Sequence, residues 1–77
     1  MKIRKAIVER LRELTDQKGI TLYKLQKDSG ISEGTFLTLI YGDRKGVNLT
    51  TLIPLIQELN VSLKDFFDSK IFENLDF

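Results

Sequence analysis

Apolar residues recur every three or four positions along most of this 77-residue chain, the period of helices that bury one face. Ile3, Ile7, Leu11 and Leu14 form a first stripe, which predicts a helix over Met1 to Gln17 closed by Lys18-Gly19. Ile20 then turns inward, and Thr21 is placed to cap a second helix, Leu22 to Ser29, with Leu22 and Leu25 on its inner side. Ser29-Gly30 ends that helix, because Gly30 can take a left-handed conformation without steric cost. Ser32 is a good N-cap and Glu33 suits the positively polarised first turn of a third helix, Glu33 to Tyr41. Phe36, Leu39 and Ile40 give this helix its buried face, and Gly42 is placed to end it.

The fourth stripe is Leu49, Leu52, Ile53, Ile56 and Leu59. Asn48 would cap its helix well, but Pro54 then falls beyond the first turn, where it lacks an N–H and its ring meets the carbonyl four residues back. A late start, capped at Thr50 or Thr51, or a kink is therefore expected. Asn60 ends the helix and Val61 packs inward. Ser62 caps a last short helix, Leu63 to Phe67, whose Leu63, Phe66 and Phe67 are expected to close the core. The fold class predicted is all-α, a compact five-helix domain over residues 1–67. Residues 68–77 follow as a short acidic extension carrying Ile71, Phe72, Leu75 and Phe77, which suggests either one more turn against the core or a dimer contact, the latter slightly favoured.

Composition narrows the function. A chain of this length buries about 60 to 65% of its unfolded surface, which leaves nothing for a second core or a walled catalytic cleft. There is no cysteine and no histidine, so thiolate and imidazole metal ligands and the commonest general base are missing, and neither an enzyme, a cofactor nor a metal site is expected. No apolar run is long enough to span a membrane, and charges interrupt the N-terminus where a signal peptide needs an apolar block. A cytoplasmic protein with no small-molecule substrate is the expectation.

Net charge is only +1, but it is unevenly placed. Residues 1–27 hold eight basic and three acidic residues, 28–45 two and three, and 46–77 two and five, for local charges of +5, −1 and −3. One face can thus meet phosphate while the other stays away from it. The first helix carries Lys2, Arg4, Lys5, Arg10 and Arg12 around its apolar stripe, and a solvated face accounts for these better than contact with DNA.

Thr21 to Gly42 organises these observations: a helix, a tight turn with glycine, and a second helix crossing the first, the arrangement that can lay one helix in a major groove. From about Val8 to Phe67 the chain resembles the helix-turn-helix family of Cro and the phage lambda-type repressors, the XRE-like family. The resemblance lies in ERLRELTDQKGIT at Glu9 to Thr21, GISEGTFLTLIYG at Gly30 to Gly42 and LTTLIPLIQELNVSLKDFF at Leu49 to Phe67. It implies a third helix that reads DNA, with Ser32, Glu33, Gly34, Leu37 and Thr38 facing bases. Thr21, Lys24 and Thr35, with Arg44 and Lys45 in the loop beyond Gly42, are the candidates for phosphate.

These are unusual readers. The strong bidentate pairs, arginine to guanine and glutamine or asparagine to adenine, are missing from the third helix. Glu33 can accept from a cytosine amino group, Leu37 can meet a thymine methyl, and Gly34 lets the backbone approach closely. Leu22 stands where the family often has a glutamine on the DNA backbone, and Gln26 where it usually has a small alanine, so the helix crossing must admit a longer side chain or expose it. The resemblance implies a sequence-specific transcriptional regulator, repressor-like, acting on double-stranded DNA as a homodimer, with any ligand control coming from a partner. The alternative is a protein-interaction module, an antirepressor or assembly partner, that keeps the fold without DNA. Glu33 and Asp43 would repel phosphate, and Leu37, Ile40 and Tyr41 would form its surface if exposed.

Overall fold

The computed structural model describes residues 1–76, and Phe77, the last apolar residue of the extension, lies outside them. Its elements are α1 (Ile3–Lys18), α2 (Leu22–Ser29), α3 (Glu33–Tyr41), α4 (Leu49–Glu58), α5 (Leu63–Phe67) and a 3-10 turn, Lys70–Phe72. The all-α, five-helix architecture is the one expected. The core joins Ile7, Leu11 and Leu14 of α1 to Leu25 of α2, Phe36 and Leu39 of α3, and Leu52, Leu55 and Ile56 of α4, with Leu59 and Phe66 closing it.

Local chemistry sets the helix ends. Gly19, at φ 69°, closes α1: its N–H donates to the Asp16 carbonyl while the Ile20 N–H reaches back to Thr15. This double bond pattern satisfies two carbonyls that the helix leaves unpaired. Gly30, at φ 82°, ends α2, and Asn60, at φ 59°, takes the left-handed conformation beyond α4. Thr21, Ser32 and Ser62 each accept a backbone N–H three residues on, from Lys24, Thr35 and Asp65. Gly42 ends α3 for a different reason. Its φ is −69°, but a Cβ there would sit 2.3 Å from the Thr38 carbonyl oxygen, so the close approach excludes a side chain.

Three expectations about packing are corrected. Helix α4 does not start late: the Asn48 side chain accepts from the Thr50 N–H at 2.9 Å and the helix runs through Pro54. The Thr50 carbonyl, four residues before Pro54, loses its intrahelical donor, but Thr50 is exposed and water can replace it. Leu49 is 60% exposed, and Leu55, outside the expected stripe, is fully buried in its stead. In α5 only Phe66 enters the core. Leu63 and Phe67, one turn apart, are 49% and 40% exposed, and the Phe67 ring meets Phe66 edge-on and Phe72 at a tilt, with ring centroids 5.0 Å apart in each pair.

Beyond α5, the extension folds back along α1. Phe72 packs against the core, Ile71 and Leu75 are half-buried, and Lys2 and Asp76 form an isolated parallel bridge. The Met1 ammonium contacts the Asp76 carboxylate at 2.7 Å and the Asn74 carbonyl at 3.2 Å, and the Asp76 N–H donates to the Met1 carbonyl. A second staple ties α1 to α5: Arg10 donates to the carbonyls of Asp65 and Phe66, each at 2.7 Å, while pairing with Glu13.

Candidate nucleic-acid interface

Helix α3 turns its inner side, Phe36 and Leu39, to the core and leaves Ser32, Glu33, Gly34, Thr35, Leu37 and Thr38 exposed. All five residues expected to face bases therefore lie on one open surface. The angle of α3 depends on its crossing with α2, where Gln26 is accommodated: it is 8% exposed, and its Nε2 donates to the Ile31 carbonyl across the turn. Leu22 is half-buried and packs against the core, its remaining surface lining the cleft between α2 and α3.

The hydroxyls of α3 are partly committed. Ser32 Oγ accepts the Thr35 N–H and donates to Thr35 Oγ1 at 2.8 Å, which leaves the Thr35 hydroxyl proton free for an outside acceptor such as phosphate. Thr38 Oγ1 donates to the Gly34 carbonyl at 3.0 Å, so outward it offers lone pairs and suits a donor, a cytosine or adenine amino group. Gly34 has no positive φ, and nothing in the chain lies within 4 Å of where its Cβ would be. The chain's own packing therefore does not demand glycine there.

A cleft runs along each side of α3. One is lined by Glu33, Leu37 and Tyr41 of α3 together with Thr21 and Tyr23 of α2. The other joins Thr35 and Thr38 to Arg44, Asn48 and Arg4. Thr21 thus flanks the helix on one side and Arg44 on the other, as contacts to phosphates on both edges of a groove require. Thr21 keeps its hydroxyl proton for a ligand while its oxygen caps α2. Lys24 lines neither cleft. It pairs with Asp28 at 2.9 Å, an exposed i, i+4 contact worth less than about 1 kcal/mol, which it can exchange for phosphate.

Lys45 belongs to a third hollow, shared with Arg44, with Lys2 at the N-cap of α1 and with Arg4 and Lys5 of α1; Asp43 and Asp76 border it. The first helix was expected to carry only a solvated basic face, yet its N-terminal cations stand beside the loop cations. Sequence reasoning missed this grouping because it depends on the crossing of α1 and α3, which no local motif encodes. It also left Ile40 and Tyr41 open: Ile40 is half-buried against the core, whereas Tyr41 is 76% exposed.

Among the described residues, no helix is long and apolar enough to cross a membrane. No curated protein and no solved structure gave a significant match to this chain. A family model described as the Cro/C1-type HTH DNA-binding domain matches residues 10–70, which contain both helices of the turn and all the lining of the two clefts named above except Arg4. The chain belongs to the family of Cro/C1-type helix-turn-helix DNA-binding domains.

Proposed function

We propose that this protein is a sequence-specific, repressor-like transcriptional regulator that inserts α3 into the major groove of double-stranded DNA. The observation that carries the reading is the single exposed surface of Ser32, Glu33, Gly34, Leu37 and Thr38, with Thr21 on one flank and Arg44 on the other. Thr21, Thr35, Arg44 and Lys45 hold phosphates, joined by Lys24 once it leaves Asp28. The α3 residues read bases through hydroxyl lone pairs, the Glu33 carboxylate and the Leu37 side chain. Specific single modules bury little surface, so a homodimer on half-sites about one helical turn apart supplies the affinity. Residues 1–67 form the binding domain; since Phe72 of the 68–77 extension packs against the chain's own core, the candidate dimer contact is the exposed Leu63 and Phe67 of α5, with the extension touching Phe67 through Phe72.

A second reading has one observation in its favour. Tyr23, Leu37 and Tyr41, 60%, 44% and 76% exposed, line the same cleft, an apolar surface suited to a protein partner. Fluorescence anisotropy on a random-sequence duplex between about 50 and 200 mM salt separates the two. Binding that weakens steeply with salt, with a shallower slope for the Arg44→Ala, Lys45→Ala double variant, supports the DNA reading. No binding at the lower salt supports the interaction module.

A further inference from the structure

Helix α3 lacks a basic residue in its own last turn, although the final carbonyls of a helix carry partial negative charge and have no intrahelical donor. That end abuts the loop bearing Arg44 and Lys45. Arg4, 35 residues earlier in the chain, occupies the junction. Its Nη1 donates to the carbonyls of Leu39 at 2.9 Å and Ile40 at 3.3 Å, and its Nε donates to the Arg44 carbonyl at 3.0 Å. One rigid guanidinium thus holds the end of the helix and the backbone of the loop together.

We infer that Arg4 is a positioning residue for DNA binding: by capping α3 and fixing the Arg44 backbone, it sets the distance between the base-facing surface and the loop's phosphate contacts. The inference rests on the DNA reading above. The bridge has two effects. It satisfies two carbonyls at the negative end of α3, and it restricts a five-residue loop, Asp43 to Val47, that has no helix or strand of its own. A fork of this shape is particular to arginine. A lysine keeps the charge but reaches one carbonyl at a time. Charge alone and geometry therefore make different predictions at this position.

The test uses the full chain with Arg4→Lys and Arg4→Gln, each alone and combined with Arg44→Ala, Lys45→Ala. Anisotropy on a short random-sequence duplex gives the slope of log affinity against log salt, to which each phosphate contact contributes about 0.9. Arg4→Lys and Arg4→Gln are both expected to flatten the slope by about one contact. In the chain already lacking Arg44 and Lys45, neither changes the slope further. Full retention of the slope by Arg4→Lys overturns the inference, since charge then suffices. An equal flattening in both backgrounds also overturns it, because Arg4 would then touch phosphate itself.

Amide hydrogen exchange on the free protein supplies a readout that needs no DNA. Faster exchange confined to residues 42–46 in Arg4→Lys supports the bridge, and an unchanged loop rejects it. If the unsubstituted chain does not bind at all, the DNA reading fails and this role fails with it. Accelerated exchange in Arg4→Lys would then still show that Arg4 holds the loop.

Discussion

The Gln26 side chain donates from Nε2 to the carbonyl of Ile31, spanning the turn between α2 and α3. This bond makes a long polar residue compatible with a helix crossing where the family usually has alanine. Gln26→Ala, although it restores the commoner residue, is expected to cost about 1 to 2 kcal/mol, because it strips the half-buried Ile31 carbonyl of its donor and opens space beneath α3. Urea denaturation reads the change as a lower midpoint at unchanged slope. A midpoint at or above that of the unsubstituted chain would contradict the account.

Glycine at position 34 has no intramolecular reason. With ordinary φ and open space around it, Gly34→Ala should raise stability by about 0.5 to 1 kcal/mol through helix propensity. The same methyl projects from the surface proposed to enter the groove, so affinity for DNA should fall as stability rises. Thermal melting and anisotropy together decide this. A variant that is both more stable and undiminished in binding would remove Gly34 from the interface.

Position 42 gives the opposite result for a steric reason. The Cβ of Gly42→Ala would lie 2.3 Å from the Thr38 carbonyl oxygen, and backbone cannot yield as a flexible side chain can. A loss of about 1 to 3 kcal/mol is expected, the range for overpacked sites. Because Gly42 starts the loop that carries Arg44, proteolysis in the loop should also quicken. A denaturation midpoint equal to that of the unsubstituted chain would show that α3 can end without this close approach.

The features read correctly from the sequence are those whose partners lie within a few residues. Thr21, Ser32 and Ser62 cap helices by bonds to N–H groups three positions away, and Gly19 and Gly30 end them by their own backbone freedom. The errors concern choices made by distant packing. Pro54 argued for a late start or a kink, but α4 starts at Leu49 and continues past the missing bond, with Leu52, Leu55 and Ile56 buried on either side of it. Leu49, Leu63 and Phe67 had the right period and the wrong environment. Arg4 and Arg10 were indistinguishable from solvated cations because their partners are carbonyls of α3 and α5, and a carbonyl leaves no mark on the sequence. The exposed face of α3 follows from the spacing of its buried residues, Phe36 and Leu39, whereas the two clefts beside it depend on α2, α1 and the loop and could not be read locally.

The clamp between chain ends should open in acid. The hydrogen bond from the Met1 ammonium, and then its charge, lower the pKa of the Asp76 carboxyl below its ordinary 3.8. A depressed folded-state pKa gives stability that is present above the unfolded value and lost as pH falls through the folded one. The contribution is therefore complete above about pH 5 and disappears below pH 3.8. NMR titration should show the Asp76 side chain and the Asn74 to Asp76 amides shifting together in that lower range, and Asp76→Asn should abolish the shared transition. Titration of Asp76 at its ordinary value would mean the clamp does not form in solution.

Glu33 distinguishes a reader from a repeller. Its carboxylate sits exposed in the first turn of α3, where the helix dipole favours it by about 0.3 to 1 kcal/mol, so Glu33→Gln should be slightly less stable. On random-sequence DNA at low salt, removing the negative charge should strengthen binding severalfold, an advantage that screening erases as salt rises. On a selected operator the outcome depends on what Glu33 does. A carboxylate that accepts from a cytosine amino group would lose about 1 to 3 kcal/mol of discrimination at one base pair on substitution. Selection on randomised duplexes before and after Glu33→Gln reveals which holds. Relaxed preference at a single cytosine supports base reading. Uniformly tighter binding with unchanged preference would make Glu33 only a repulsive charge, and would move sequence recognition to Leu37 and Thr38.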